Sequence, residues 1–481
     1  MPLHALSLLL WHAAAFAQQQ PAPSLALMVT TLTSQGVYQF DALEYDSAVA
    51  NDAAYRNLLP ICGAPTVGAA CTGTTQTLFS RLRDLEANAA QLLGEGASQY
   101  SLRLAPLGMA AALRWTAPEE YAAQGSIATR FANSQASVLN NRFAALRITA
   151  GAFPVAQSDE NGDGDVVAST GYGMLGGGAG DDIANVSFGR LSIFANGSFG
   201  TGDKAPTTFE DAFSFDDTEA SVGMDYRLSR NWVIGILAGH TEKRVDFNSE
   251  LSTVDGAIRG NGQSALLYGQ FGGDAFYANG SIGLQHLSIN TARRITYPSN
   301  NPNIPPVDDT ADSDTGANTL TATLASGYVF HYRGLSAEPY LNGQYVKVSI
   351  NAFVEHSAEG FDFNVGQQNI HSSEIAAGLR FQYALLPPFG VIVPYVYGEY
   401  RRELADSSRI VPSAYSAVPD SGYASGMDLP TDASPTHYYV LGGGGSVVLA
   451  HGLQGFVQYM QVFDYTNYTD HVVSGGVRWE F

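Results

Sequence analysis

Residues 219–228 read Glu219-Ala-Ser-Val-Gly-Met-Asp-Tyr-Arg-Leu228. Ala220, Val222, Met224, Tyr226 and Leu228 alternate with Glu219, Ser221, Gly223, Asp225 and Arg227, so an extended chain shows one apolar face and one polar or small face. The period of two returns at 319–331, where Leu320, Ala322, Leu324, Tyr328 and Phe330 oppose Thr319, Thr321, Thr323 and Gly327. It returns again at 374–382, where Ile375, Ala377, Leu379 and Phe381 oppose Glu374, Ala376, Gly378, Arg380 and Gln382. About twelve such segments start near 191, 218, 231, 258, 274, 318, 335, 371, 389, 437, 453 and 471. Short turns such as Ser229-Arg230 and Gly272-Gly273 alternate with long polar loops at 291–317 and 403–435. An even number of roughly ten-residue dyad segments, with short turns at one end and long loops at the other, predicts an all-β transmembrane barrel of about twelve antiparallel strands.

A soluble β-sandwich also alternates, so the content of the two faces decides between them. Here the polar face is rich in small residues (Gly223, Gly378, Gly442, Gly444), which leaves room inside a closed sheet. Aromatic residues gather at segment ends, among them Tyr226, Trp232, Tyr328, Phe330, Tyr438, Tyr439, Tyr465 and Trp479, as interfacial girdles require. Composition agrees. Of 481 residues only 14% are charged, against roughly 25% in soluble domains, yet mean hydropathy is −0.04. Beyond the first twenty positions no apolar run reaches the roughly 20 residues of a membrane helix, which excludes a helical membrane protein. With 24 Lys and Arg against 45 Asp and Glu the net charge is −21, which argues against a nucleic-acid partner.

The ends carry addresses. Residues 1–17 hold an apolar core from Leu6 to Phe16 closed by Ala15-Phe16-Ala17, the form of a secretory signal peptide, although no Lys or Arg precedes it. In an exported chain the two cysteines, Cys62 and Cys71, predict one local disulfide. At the other end Val473, Gly475, Val477, Trp479 and Phe481 share one face, so the chain stops mid-strand, as a barrel does when its last strand pairs with its first.

Between the signal and the barrel lie two regions. Residues 18–124 predict a small, mainly helical unit: Leu78, Leu82, Leu85, Ala89 and Leu92 recur at helical spacing before Gly94. Residues 125–189 predict a linker. Its first part, 125–147, has no Pro and no internal Gly, repeats Phe131, Val138, Leu139, Phe143 and Leu146 at helical spacing, and is too polar to face lipid. At 1.5 Å per residue such a helix is about 35 Å long, enough to thread a barrel lumen. The rest is Gly- and Asp-rich, and Asp159, Asn161, Asp163 and Gly164 begin a calcium-loop pattern that lacks its final Glu, Thr170 standing there. The barrel then fills 190–481.

Arg190-Leu-Ser-Ile-Phe-Ala-Asn-Gly197, Asp225-Tyr226-Arg227, Gly235 to Gly239, Val393-Pro394-Tyr395 and Val477-Arg-Trp-Glu-Phe481 resemble the autotransporter β-domain family, the self-exporting outer-membrane proteins of type V secretion. Arg142-Phe143-Ala-Ala-Leu146-Arg147 looks like the linker helix that threads the pore in that family. The resemblance implies a monomeric barrel in outer-membrane lipid, served by periplasmic chaperones and inserted by the barrel-assembly machinery, with Val477, Trp479 and Phe481 as its insertion signal. It implies an N-terminal passenger translocated to or displayed at the cell surface; the alternative is a porin or adhesin barrel whose N-terminal region is periplasmic. Some members cut their passenger at an Asn-Asn pair. Aligning Arg142-Phe143 here puts Ser137 and Val138, rather than Asn140-Asn141, at the scissile positions.

No catalytic set emerges. There is no G-x-S-x-G elbow, no nucleotide or metal-ligand spacing, and no histidine between Cys62 and Gly125 to serve a nucleophile, so neither enzyme chemistry nor a cofactor or metal is expected. Strand parity places His331 and His371 with the inward, polar set, away from the lipid face where an embedded phospholipase would need a Ser-His pair.

Overall fold

The computed structural model describes residues 20–63, 71–149, 190–247, 255–273, 275–332, 334–405, 409–419, 426–449 and 452–480; within 131–149 it does not describe the side chains at 131, 132, 134, 137, 141 and 145–149. The signal segment, the acidic 159–165 loop and Phe481 fall outside these residues.

Helices come first: α1 (Leu25–Ser34), α2 (Ala42–Cys62), α3 (Gly73–Ala90), α4 (Pro106–Trp115) and the long α5 (Glu120–Thr149). Strands follow: β1 (Leu191–Lys204), β2 (Phe213–Arg227), β3 (Trp232–Phe247), β4 (Gly256–Gly272), β5 (Phe276–Tyr297), β6 (Val307–Tyr328), β7 (Phe330–Tyr332), β8 (Leu335–Ile350), β9 (Phe353–Val354) and β10 (Phe363–Val365). The remainder are β11 (Gln368–Tyr383), β12 (Gly390–Glu403), β13 (Ile410–Tyr415), β14 (Met427–Pro430), β15 (His437–Leu449), β16 (Leu453–Phe463) and β17 (His471–Glu480).

Twelve strands, β1 to β6, β8, β11, β12 and β15 to β17, close into one antiparallel barrel. The last strand zips onto the first from Ser192↔Glu480 to Thr201↔His471, as the alternation at the C-terminus predicts. Closure pairs every strand on both sides, which is what permits a sheet in lipid. Outward positions hold Leu267, Leu284, Leu324, Leu341, Val396 and Val457, all exposed. Trp232, Phe276, Tyr328, Phe330 and Trp479 ring the end with short turns, and Tyr345, Tyr400, Tyr439 and Tyr459 ring the end with long loops. On the inward face the glycines leave less room than the sequence suggests. A Cβ at Gly223, Gly378 or Gly442 would strike the ring of Phe194, Tyr340 or Tyr397, so neighbouring aromatics fill those notches.

Two expectations about loops are corrected. The 291–317 segment is mostly ladder: β5 runs to Tyr297 and β6 starts at Val307. Its alternation persists above the lipid band, where the outward face meets water and tolerates Asp308, Asp312 and Asp314, while Ile295, Tyr297, Val307 and Ala311 are buried inward. Charge at those outward positions hides the period. The 403–435 segment likewise contains β13 and β14, which join β9 and β10 in a four-stranded sheet above the barrel.

That sheet and the β5–β6 hairpin share one core with the helices. Leu25, Leu43, Tyr55, Leu78, Leu82 and Leu85 belong to the same buried cluster as Ile295, Phe361, Phe363, Val411, Tyr415 and Leu429. Polar contacts cross the same boundary. Tyr415 donates to Asn51 Oδ1 at 2.6 Å, Thr75 donates to the Ala417 carbonyl at 2.9 Å, and Asn301 Nδ2 donates to the Gln99 and Ser101 carbonyls at 2.9 Å. The helical unit therefore sits on the long-loop end of the barrel. Helix α3 ends as its sequence indicates: after Ala90 a single wide turn leads to Gly94, whose φ of 97° favours glycine.

Cys62 and Cys71 are joined in a disulfide between α2 and α3. Closing this short loop restricts the unfolded chain, so replacing both cysteines with serine is expected to lower the stability of the helical unit by about 2–3 kcal/mol. Urea unfolding followed by the helical circular dichroism signal measures it.

Candidate functional site: a helix held in the barrel lumen

Helix α5 begins at Glu120, five residues before the start expected from sequence, and carries Gly125 inside it. The reason is a close approach. A Cβ at Gly125 would strike the Arg409 guanidinium, which also donates to the Ala122 carbonyl. Between 121 and 146 the helix carries only two charged residues, Arg130 and Arg142, and both find acids on the barrel wall.

At the long-loop end the neck of α5 is set among buried charges. Arg293, fully buried, donates from Nε to Glu355 Oε1 and from Nη2 to Glu355 Oε2, each at 2.8 Å. Glu355 also accepts from the Tyr121 hydroxyl and from the Phe363 amide, the latter at 2.7 Å. Gln124 donates to Thr291 Oγ1 at 3.1 Å. Arg114, at the end of α4, pairs with Asp41 at 2.6 Å and with Glu119 at 3.2 Å.

Halfway down, Arg130 bonds Asp217 at 2.7 Å, pairs with Asp470, and lies 4.0 Å over the Phe215 ring. Lys243 reaches the same Asp217 at 3.4 Å. Beside Arg130 a cavity of about 490 Å³ separates α5 from the wall, lined by Asn133, Lys204, Arg401, Tyr438 and Asp432 among others.

Near the short-turn end Arg142 donates from Nε to Asp225 Oδ2 at 2.9 Å and from Nη2 to Ser192 Oγ at 3.2 Å. Ser192 in turn donates to Asp225 Oδ1 at 2.6 Å, and Tyr268 donates to Oδ2 at 3.2 Å. Phe143 is fully buried against Val138, Leu139, Phe194, Leu237 and Tyr268. Three segments that carry the family resemblance, around Ser192, Asp225 and Arg142, thus meet at one point. The side chains of Leu146 and Arg147 lie outside the described residues. Sequence reasoning named Arg142 and Phe143 but missed Arg130, Asp217, Asp470, Arg293 and Glu355. The available signal was two arginines and no acid along 121–146, with acids at inward parity on β2.

Asn140 is half-buried beside a small cavity lined by Tyr277, Glu338, Tyr340 and Arg380. Val138 is buried in the wall contact, and the side chains at 137 and 141 lie outside the described residues. The parity of His371 is corrected: it faces outward with Ile375 and Leu379, its Nδ1 3.4 Å from the Tyr345 hydroxyl. Polar neighbours on both faces, from Asn369 to Glu374, hide the alternation at His371, which Ile375 and Leu379 fix. His286 also faces outward and bonds Asn318 at 3.0 Å, while His331 bonds Ser336 at 2.9 Å beside the short-turn end. Among the described residues neither His286 nor His371 is bonded to a serine. On β17, Val477 and Trp479 point outward and are more than half exposed.

Outside the barrel, two carboxylates share the start of α1. Ser24 N–H donates to Glu86 Oε2 at 2.6 Å, and the Leu25 and Ala26 amides donate to Asp52 at 3.0 and 3.1 Å. Burial, reinforced by the neighbouring Asp52 carboxyl, holds Glu86 well above the usual carboxylate range, with the Ser24 amide opposing. Burial also pushes Asp84 up to about 6, against the pull of Arg83. A folded state that holds protons more tightly than the unfolded chain is most stable in acid and loses stability as pH rises. Through Asp84 the loss is centred between about pH 4 and 6 and amounts to about 3 kcal/mol in all; Glu86 extends it to higher pH. Thermal melts of the helical signal across this range measure it, and Asp84→Asn is expected to flatten the slope.

A closed twelve-stranded barrel with outward apolar residues, two aromatic girdles and a helix ion-paired inside its lumen defines an outer-membrane barrel filled by its own chain. A family model for the autotransporter β-domain matches residues 193–460, over half of the chain, and the protein belongs to that family. The closing strand β17 lies beyond the matched residues. Similar solved structures include the translocator domain of the autotransporter NalP from Neisseria meningitidis, at 15% identity over 61% of this chain and 89% of that one, TM-score 0.47. The β-domain of the Bordetella autotransporter BrkA is 14% identical over 61% and 100%, TM-score 0.42. The transport unit of AIDA-I from Escherichia coli is 10% identical over 63% and 93%, TM-score 0.37. No curated protein sequence matches the chain.

Proposed function

We propose that the barrel anchors the chain in the outer membrane and displays the N-terminal helical unit on the cell surface, retained there as a folded head rather than released. The observation that carries this reading is the path of α5. It leaves the helical unit at the long-loop end, where Tyr121 meets Glu355, and reaches the short-turn end, where Arg142 meets Asp225 beside the start of β1. Long loops face outside in outer-membrane barrels, which supports a head on the outer side. An open porin would need the lumen that α5 fills. The shared core and the two arginine anchors favour retention over release. No enzyme chemistry is invoked.

Insertion by the outer-membrane assembly machinery, with chaperones in the periplasm, would use Val477, Trp479 and the terminal aromatic Phe481. Deleting Phe481 is then expected to lower outer-membrane levels and heat-modifiable gel mobility. Display is tested by protease shaving of intact cells and mass spectrometry of the released peptides. Peptides from 20–115 are expected. Protection of that region on cells whose 404–436 loop is cut would place the head in the periplasm.

A further inference from the structure

The outward face of the barrel is divided by charge. From β8 round through β11, β12, β15 and β16 to β17, the outward positions hold Lys347, His371, Arg402, His437 and His471 and no carboxylate. On β2 to β6, by contrast, carboxylates share the outward face: Arg244 bonds Asp246 at 2.6 Å, Arg294 bonds Asp255 and Asp308 at 3.0 Å each, and Arg259, which has no ion pair among the described residues, faces Arg244 in the register. In a chain of net charge −21 an all-basic half-ring is not what composition dictates.

The placement is specific. Lys347 stands directly opposite His371, and Arg402 directly opposite His437, in the strand register. Basic residues set face to face across a ladder repel when both are charged, and neither Lys347 nor Arg402 has an ion-pair partner among the described residues. His471 pairs with Gln461, four residues further along β15 and β17 than the His437 row. Strands tilt in a barrel, so rows descend from strand to strand and these five residues fall near one height. Immediately below them come Tyr345, Tyr400, Tyr439 and Tyr459, the aromatic girdle, and then the lipid-facing leucines and valines. The ring therefore sits at the head-group level of the leaflet that meets the long loops. Three of the histidines are also arranged alike. Nδ1 of His371, His437 and His471 is taken by the hydroxyls of Tyr345, Thr436 and Tyr459, at 3.4, 3.1 and 2.7 Å. Each keeps Nε2 for an outside partner.

We propose that this half-ring binds the phosphate groups of anionic lipids in the leaflet on the long-loop side, with Lys347/His371 and Arg402/His437 as two phosphate clamps and His471 as a flanking contact. A phosphate seated between each pair relieves the facing charges and accepts charge-assisted hydrogen bonds from both. The binding orients the barrel, with one charged flank held by lipid.

The test uses the full chain purified in a neutral detergent, with native mass spectrometry to count bound lipid on titration with diphosphoryl lipid A or with phosphatidylcholine. The expected result is about tenfold stronger retention of the phosphorylated lipid. Lys347→Gln with Arg402→Gln should abolish the preference, and His371→Gln with His437→Gln should reduce it. Arg244→Gln with Arg294→Gln, on the opposite flank, should leave it intact. Heat-modifiable mobility reports that each variant is folded, and these side chains point away from the protein. Equal retention by all variants, or equal loss with the Arg244 and Arg294 pair, would overturn the proposal. Displacement of the lipid by millimolar inorganic phosphate would mean a free-anion site and overturn its assignment to lipid.

Discussion

Replacing Glu355 with alanine is expected to cost about 3–5 kcal/mol, the largest effect of any single substitution in the head. Arg293, fully buried, would lose both of its carboxylate bonds, and its third contact, to the Phe361 carbonyl at 3.0 Å, does not neutralise it. The Tyr121 hydroxyl and the Phe363 amide would lose their acceptor at the same stroke. The head should detach from the barrel mouth before the barrel itself unfolds, read as loss of helical signal with the gel mobility of the folded barrel retained. Replacing the pair together, Arg293→Met with Glu355→Leu, is expected to recover much of the loss, because the penalty comes from an uncompensated buried charge more than from the missing bond. A loss equal to that of Glu355→Ala alone would mean the pair contributes chiefly through its hydrogen bonds to Tyr121 and Phe363.

Arg142→Ala is expected to open the lumen. Among the described residues the substitution leaves Asp225 buried with Ser192 and Tyr268 as its donors, and it removes the guanidinium lying 4.9 Å from the Phe194 ring. At about 3–5 kcal/mol for a broken buried pair, the lower half of α5 loses its fixed position while Arg130 still holds the middle. In planar bilayers the native protein should conduct little, and the variant should show frequent open events. Adding Asp225→Asn, which removes the orphaned charge, should restore much of the closed state. Conductance unchanged by Arg142→Ala would assign the plugging to Arg130 and the neck alone.

The barrel was legible because lipid enforces a period of two. Each strand that crosses the membrane must set apolar residues outward, so segments such as 219–228 declare themselves and the closing strand can be read from Val473, Val477 and Trp479. The constraint ends with the lipid. Above it β5 and β6 keep their ladder while Asp308, Asp312 and Asp314 take the outward positions, and a pattern of hydrophobicity no longer marks them. The helices were legible from Leu78, Leu82 and Leu85, whose spacing is local. Their core was not, because Tyr415, Phe361 and Ile295 reach it from hundreds of residues away. The lumen contacts divide in the same manner. Arg142 stood in a recognisable helix, but its partner Asp225 read as one more polar residue on a strand, and only closure of the sheet brings the two together. Gly125 looked like a helix boundary, since what excuses it is Arg409 from a distant loop.

A single thiol measures directly which side of the membrane carries the helical head. Cys62 and Cys71 are consumed in their disulfide and no free cysteine remains, so an introduced cysteine is the sole target for a membrane-impermeant maleimide. Leu107 on α4 is 68% exposed, and Arg230 lies exposed in the short turn between β2 and β3. On intact cells Leu107→Cys should be labelled and Arg230→Cys should not, with both labelled after the outer membrane is permeabilised. Labelling of Arg230→Cys on intact cells with protection of Leu107→Cys would contradict the display of the head at the cell surface.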